Sequence, residues 1–271
     1  MTRDEGKEVV RGFLHDQGLV VEEIPDAPNE RRADLRASRA SEEYIVEVKS
    51  RIPDREYFAR LSAVGTAKRE QFLGRTNAVV AQVRDGADQL QATPSQPDAF
   101  RLLALVAFAT DPETQAIQFR ATLYGTVDVL VPGKGASAVA IPCFYFSFSE
   151  FYRLRGLDAA LIFLPGATQL CLNRWSERAA AMKESYLADL HRRHGALLDP
   201  EVLVAKGEAF LADCDLDRHD ESGMLRYVKE RYGLEHAFTF QPTKFTAGVV
   251  IPSEEAERKN GADAQEWRGS F

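Results

Sequence analysis

Residues 102–109 (Leu-Leu-Ala-Leu-Val-Ala-Phe-Ala) form the longest apolar run in the chain, bounded by turn signals. Eight apolar residues without polar alternation suit a strand buried in the interior of a sheet. They fall far short of the roughly 20 that a membrane-crossing helix needs. A second apolar strand candidate lies at 157–164, ended by Pro165-Gly166, and 170–172 is placed to pair with it. Strands of this kind need helices to cover them, and the rest of the chain supplies candidates.

Residues 4–16 carry Val9, Val10, Phe13 and Leu14 at helical spacing, and Gly18 is a helix stop. A short strand is expected at 19–24, a turn at 25–30, and two strands joined by a small polar loop at 33–37 and 44–49. The pattern from 55 to 90 reads as helix, broken by the turn-rich 93–97. Residues 117–131 read as one or two strands with a break near Gly125, and 138–148 as an aromatic strand. Helices are expected at 174–194, 200–212 and 223–232, and residues 253–269 have the composition of a disordered tail. The chain thus reads as α/β, a mixed central sheet flanked by helices, with a helix-rich C-terminal part. The expected organisation is a core at 1–172, a helical part at 173–252 packed on it, and a tail at 253–271.

At 271 residues, 45% apolar and 28% charged, the chain has the makings of one large domain or two modest ones. The net charge of −7 argues against a protein that coats nucleic acid with a uniformly basic surface. Cys143, Cys171 and Cys214 are odd in number and far apart, which speaks against a disulfide framework or a zinc-thiolate site. The first residues have mixed charge and no apolar segment of secretory type. A cytoplasmic protein with reduced thiols is the expectation, with no membrane partner.

The chemistry concentrates between residues 31 and 51. In the strand at 44–49, Tyr44, Val46 and Val48 share one face while Ile45, Glu47 and Lys49 share the other. If the hairpin is symmetric about Ala40-Ser41, residues whose numbers sum to 81 lie opposite each other, and Asp34 faces Glu47. Two carboxylates across a non-hydrogen-bonded or hydrogen-bonded pair sit about 5 Å apart at Cβ and repel unless a cation lies between them. Mg²⁺ suits such a site, because it takes one or two carboxylates and completes its octahedron with water and substrate phosphate. Lys49 beside it could steady developing charge. The contrasting reading is a solvated strand face with an incidental Glu–Lys pair.

Asp34, twelve intervening residues and then Glu47-Val48-Lys49 resemble the active-site signature of the PD-(D/E)XK, or restriction-endonuclease-like, nuclease superfamily. The wording Ile45-Val-Glu-Val-Lys-Ser50 is similar to that of Holliday-junction-resolvase-like and RecB-like branches. The resemblance implies a restriction-endonuclease-like core and Mg²⁺-dependent phosphodiester hydrolysis (with Mn²⁺ as a substitute), in DNA or less often RNA. It implies Asp34 and Glu47 as metal ligands, Lys49 as a catalytic partner, and a role for Gln89 on the helix that follows. Two features depart from the pattern. Ala33 stands where the family has Pro, and neither Glu5 nor Glu8 is cleanly placed as a first-helix acid. A non-enzymatic nucleic-acid-binding or protein-interaction module on the same fold is the alternative.

Residues 31–75 hold eleven basic and seven acidic side chains, whereas residues 1–30 hold three and eight. Arg31, Arg32, Arg51, Arg55, Arg60, Lys68, Arg69 and Arg75 are therefore candidate phosphate contacts. Weaker signals read as structure. Pro132-Gly-Lys-Gly135 precedes a strand and reads as a hairpin turn. The acidic run 213–220 lacks the glycine and terminal Glu of a calcium loop. His191 and His194 have no third ligand. The aromatic cluster at 144–152 suits core or homodimer packing better than base stacking.

Overall fold

The structure, a computed structural model, describes residues 3–25, 30–50, 66–71, 73–108, 111–133, 137–240 and 245–250. Its centre is a seven-stranded mixed sheet. The chain enters through helix α1 (Arg3–Asp16), stopped by Gly18 at φ 77°. Strands β1 (Val20–Glu23), β2 (Leu35–Arg39) and β3 (Glu42–Ser50) follow as an antiparallel meander. Helix α2 (Asn77–Ala92) crosses over to β5 (Phe100–Val106), which runs parallel to β3. Between β3 and α2 lies β4 (Thr66–Gln71), which belongs to a separate two-stranded sheet.

Helix α3 (Pro112–Tyr124), strands β6 (Val127–Pro132) and β7 (Ala138–Phe144) and the single turn α4 (Glu150–Arg153) intervene before β8 (Ala159–Leu164). Strand β8 is parallel to β5, and β9 (Ala167–Leu172) folds back antiparallel on β8. Helices α5 (Ala179–Lys183) and α6 (Tyr186–Arg193) precede β10 (Leu197–Leu198), which closes the sheet parallel to β9. The order across the sheet is β1-β2-β3-β5-β8-β9-β10.

Both faces of this sheet are covered. On one, Ile45, Leu103, Leu105, Ala160 and Ile162 pack with Val79, Val83 and Leu90 of α2 and Phe119 and Leu123 of α3. On the other, Tyr44, Val46, Val48, Leu102, Ala104 and Leu161 pack with Val10 and Leu14 of α1 and Leu187 and Ala188 of α6. The two apolar runs noted in the sequence are β5 and β8, both near the middle of the sheet. Among the described residues no helix is long and apolar enough to cross a membrane.

A second, four-stranded sheet joins β6 and β7 to β11 (Phe210–Leu211) and β12 (Phe238–Phe240), which come from the C-terminal part with α7 (Pro200–Ala205) and α8 (Glu221–Tyr232). Strand β13 (Phe245–Val250) pairs antiparallel with β4. The C-terminal part thus mixes helices with short strands that complete sheets begun earlier in the chain.

Several local expectations are corrected. Residues 55–90 are not one helix. Residues 66–71 form β4, and the helix starts only at Asn77, where the Thr76 hydroxyl accepts from the Val79 amide. The strand pairing is with residues 245–250, a contact no local pattern reveals. Residues 117–124 are helix rather than strand. Asp111 caps α3 by accepting from the Thr114 amide at 3.0 Å, Pro112 occupies its first turn, and Gly125 ends it at φ 60°. The helix is buried nearly all round, so its apolar residues carry no single-faced stripe.

The expected helix at 174–194 starts only at Ala179 and breaks at Ser185, whose hydroxyl caps α6 together with the Glu42 carboxylate, which accepts from the Tyr186 amide at 3.0 Å. Strand β7 stops at Phe144, ahead of Tyr145 at φ 60°. The hairpin between β6 and β7 is where the glycine-rich loop predicted one. The expected tail at 253–271 lies outside the described residues.

Candidate active site

The β2–β3 ladder pairs Leu35 with Val46 and Arg39 with Glu42, and each pair sums to 81. The ladder ends at Leu35, and Asp34, the next residue out, meets β3 through its side chain at the Val48 amide, beside Glu47. Asp34 is held from three sides. Its carbonyl accepts from the Ile24 amide at 3.0 Å, its Oδ2 accepts from the Val48 amide at 2.9 Å, and the preceding Ala33 amide donates to Thr93 Oγ1 at 2.7 Å. Thr93 is the C-cap of α2, so this last bond ties the hairpin to that helix.

Glu47 is 0% exposed, which overturns the solvated-face reading of this strand. Burial, reinforced by the neighbouring Asp34 carboxylate, pushes its carboxyl up to about 8, against the pull of Lys49. Lys49 Nζ lies 2.6 Å from Glu47 Oε1 and 2.6 Å from Asp85 Oδ2. Asp85 stands on α2, where Gln89 Nε2 donates to the same Oδ2 at 2.9 Å. Arg31 completes the group, with Nη1 2.5 Å from Asp85 Oδ1. Partial burial raises the Asp85 carboxyl, but Lys49 and Arg31 together outweigh it and hold it below the ordinary carboxylate range.

Helix α2 reaches the strand this closely because position 86 is glycine. A Cβ there would lie 2.5 Å from Leu103 Cδ1, 3.2 Å from Lys49 Cε and 3.4 Å from Glu47 Cγ. An open groove of about 720 Å³ adjoins the group, lined by Arg31, Arg32, Asp85, Asp88 and Gln89 among others.

The structure therefore brings Asp34, Glu47, Lys49 and Gln89 into one cluster. Gln89, 4% exposed, joins it through Asp85. Sequence reasoning missed Asp85. Its signal was the i, i+4 spacing to Gln89, which puts both side chains on one helical face. The first-helix acids fare differently. Helix α1 packs on the opposite face of β3, and Glu8 is exposed and paired with Arg11. Glu5 is exposed, one residue before Gly6, which abuts Ser50 at the end of β3.

Of the candidate phosphate contacts, Arg31 keeps a side chain 69% exposed at the groove, and Arg32 pairs with Glu30. Arg75 turns instead to the buried Glu150, at 2.8 Å, together with Arg84. Arg51, Arg55 and Arg60, and the side chains of Lys68 and Arg69, lie outside what is described.

The other signals settle as structure. Asp220 caps α8, and Asp213 pairs with Arg174 and Arg231. His191 is buried with Nδ1 2.7 Å from the Leu187 carbonyl, and burial lowers its pKa. Phe144, Tyr145 and Phe151 pack around Tyr124 in the core.

Among the described residues no three His, Cys, Asp or Glu side chains form a metal-holding group. The donor set here is smaller, two opposed carboxylates with an ammonium beside them. That is enough for Mg²⁺, which commonly takes one or two carboxylates and leaves its other positions to water and phosphate. The Glu47 carboxyl is raised by burial first and by the Asp34 carboxylate second. Compared with family models, with curated proteins and with solved structures, the chain matches none.

Proposed function

We propose that the chain is a Mg²⁺-dependent nuclease of the PD-(D/E)XK type that hydrolyses phosphodiester bonds in DNA. The observation that carries this reading is the convergence on one sheet face of Asp34, Glu47 and Lys49, with a buried Glu47 and a Lys49 ammonium 2.6 Å from it. The mixed sheet flanked by helices accords with the restriction-endonuclease-like core that the resemblance implies.

Asp34 and Glu47 hold the metal in this reading. A bound Mg²⁺ supplies Lewis acidity at the scissile phosphate and a more acidic water. The chain's own groups do the rest. The Val48 amide fixes the Asp34 carboxylate at the edge of the hairpin, beside Glu47. Lys49 directs an ammonium N–H toward the site, where it orients the attacking water and offsets charge gathering on the phosphate. Arg31, at the mouth of the groove, is placed to receive a phosphate of the same strand.

The test is cleavage of duplex, single-stranded, branched and RNA substrates in Mg²⁺ or Mn²⁺. Asp34→Asn keeps an acceptor for the Val48 amide, so it should fold as the parent does. It and Lys49→Ala should both lose cleavage, by about 10²-fold or more, with unchanged circular dichroism. Undiminished cleavage by both variants sinks the assignment. Binding without cleavage by the parent chain favours the non-enzymatic module.

A further inference from the structure

Asp85 belongs to no motif, yet side chains from three parts of the chain meet at its carboxylate. Lys49 from β3 and Gln89 from α2 both reach Oδ2, at 2.6 and 2.9 Å. Arg31, from the segment before β2, reaches both oxygens, at 2.5 Å to Oδ1 and 3.0 Å to Oδ2. We propose that Asp85 is a positioning residue that fixes the Lys49 ammonium beside Glu47, and that Gln89 and Arg31 serve the site by orienting Asp85. The kinetic part of this inference rests on the nuclease reading; the fixing of Lys49 does not.

A lysine ammonium is a point charge on a flexible four-carbon stem, and holding it costs rotamer entropy. One carboxylate restrains such a group along a single direction. Two carboxylates from different elements, each 2.6 Å from Nζ, restrain it along two. The helix that supplies the second carboxylate is itself fixed. Thr93 ties its end to Ala33, and Gly86, next to Asp85, lets it lie against Lys49 Cε. Asp85 is fixed in turn, since Gln89 Nε2 donates to its Oδ2 and also lies 3.3 Å from its own carbonyl oxygen. The contacts place Gln89 on Asp85, one step from Lys49. The Arg31 contact supplies a second positive charge to a cluster with three carboxylates, Asp34, Glu47 and Asp85.

The test uses the full chain without metal and then with Mg²⁺. Brief treatment with an amine-acetylating reagent, read by peptide mass spectrometry, compares Lys49 with the exposed Lys206 as internal reference. In the parent, Lys49 should be protected. In Asp85→Asn its labelling should rise several-fold while that of Lys206 stays put, and Asp85→Glu should restore part of the protection. With substrate, Asp85→Asn should lower kcat by about 10²-fold, the scale of a 1 Å misplacement, with KM unchanged, and Asp85→Glu should recover part of it. Unchanged Lys49 labelling in Asp85→Asn overturns the proposal, as does raised labelling with an undiminished kcat. A parent chain that cleaves nothing removes the nuclease reading instead, and the labelling then decides alone whether Asp85 holds Lys49.

Discussion

Glu47 sits in surroundings that its residue type avoids. A carboxyl with 0% exposure beside another carboxyl favours its protonated form, and its pKa is pushed up to about 8. The folded chain therefore holds this proton over a pH range in which the unfolded chain has released it. The stability contributed by protonated Glu47 is fully present below the unfolded value near 4.5 and is lost as pH rises through about 8. Glu47→Gln cannot ionise, so without metal it should be the more stable chain at pH 8, by an amount on the order of a few kcal/mol. Its advantage should shrink toward pH 5. Thermal melts of the two chains across this range check it, and parallel curves refute it. Added Mg²⁺ should raise the melting temperature of the parent at pH 8 and leave Glu47→Gln where it was.

Helix α2 is the element on which the site depends. It carries Asp85, Gly86 and Gln89 on the face that meets β3, continuing the buried stripe Val79, Val83, Leu90. In an exposed helix, Gly→Ala gains about 1 kcal/mol. At position 86 the added methyl would meet Leu103 Cδ1 at 2.5 Å and crowd Lys49 Cε at 3.2 Å. Overpacking of this kind costs about 1–3 kcal/mol. Gly86→Ala should therefore lower the urea midpoint and push α2 away from Lys49, raising its acetylation as Asp85→Asn does. A variant more stable than the parent would show that the helix has room to spare.

The whole molecule is bound together by buried charges at places where separate parts of the chain meet. Glu150, fully buried on α4, accepts from Arg75 ahead of α2 and from Arg84 within it, joining the site's helix to the segment that follows β7. Asp158 joins the start of β8 to the C-terminal part through Arg178 at 2.5 Å, and it also accepts from the Arg101 amide at 2.7 Å. Glu150 is out of water, whereas Arg75 and Arg84 keep 28% and 42% of their side-chain surface, so water replaces part of what they lose when the carboxylate is removed. Glu150→Gln weakens the charge-assisted bonds to both and should cost about 1.5–3 kcal/mol in chemical denaturation. Loss of less than about 0.5 kcal/mol, the range of ordinary surface changes, would mean the two arginines are satisfied by water. Among the described candidates for phosphate contact, Arg75 is thereby drawn to Glu150 and Arg31 stays at the groove.

The hairpin was legible because everything that sets it is local. Alternation assigns Ile45, Glu47 and Lys49 to one face, and the short turn at Ala40-Ser41 sets the register that ends at Leu35 opposite Val46 and brings Asp34 beside Glu47. The interior strands were legible for a similar reason, since an unbroken apolar run has few other places to go. Residues 66–71 could not be read as strand, because their partner lies at 245–250 and nothing nearby reports it. The helix at 112–124 was misread because burial on nearly all sides erases the stripe that marks a surface helix, although Asp111 and Gly125 signal its ends. Sequence alone thus determined two opposed carboxylates with a lysine beside them on one strand face. Only the tertiary structure decided that this face is buried and that Asp85 closes on Lys49, because both follow from how closely α2 docks, and packing across elements separated in sequence sets that distance.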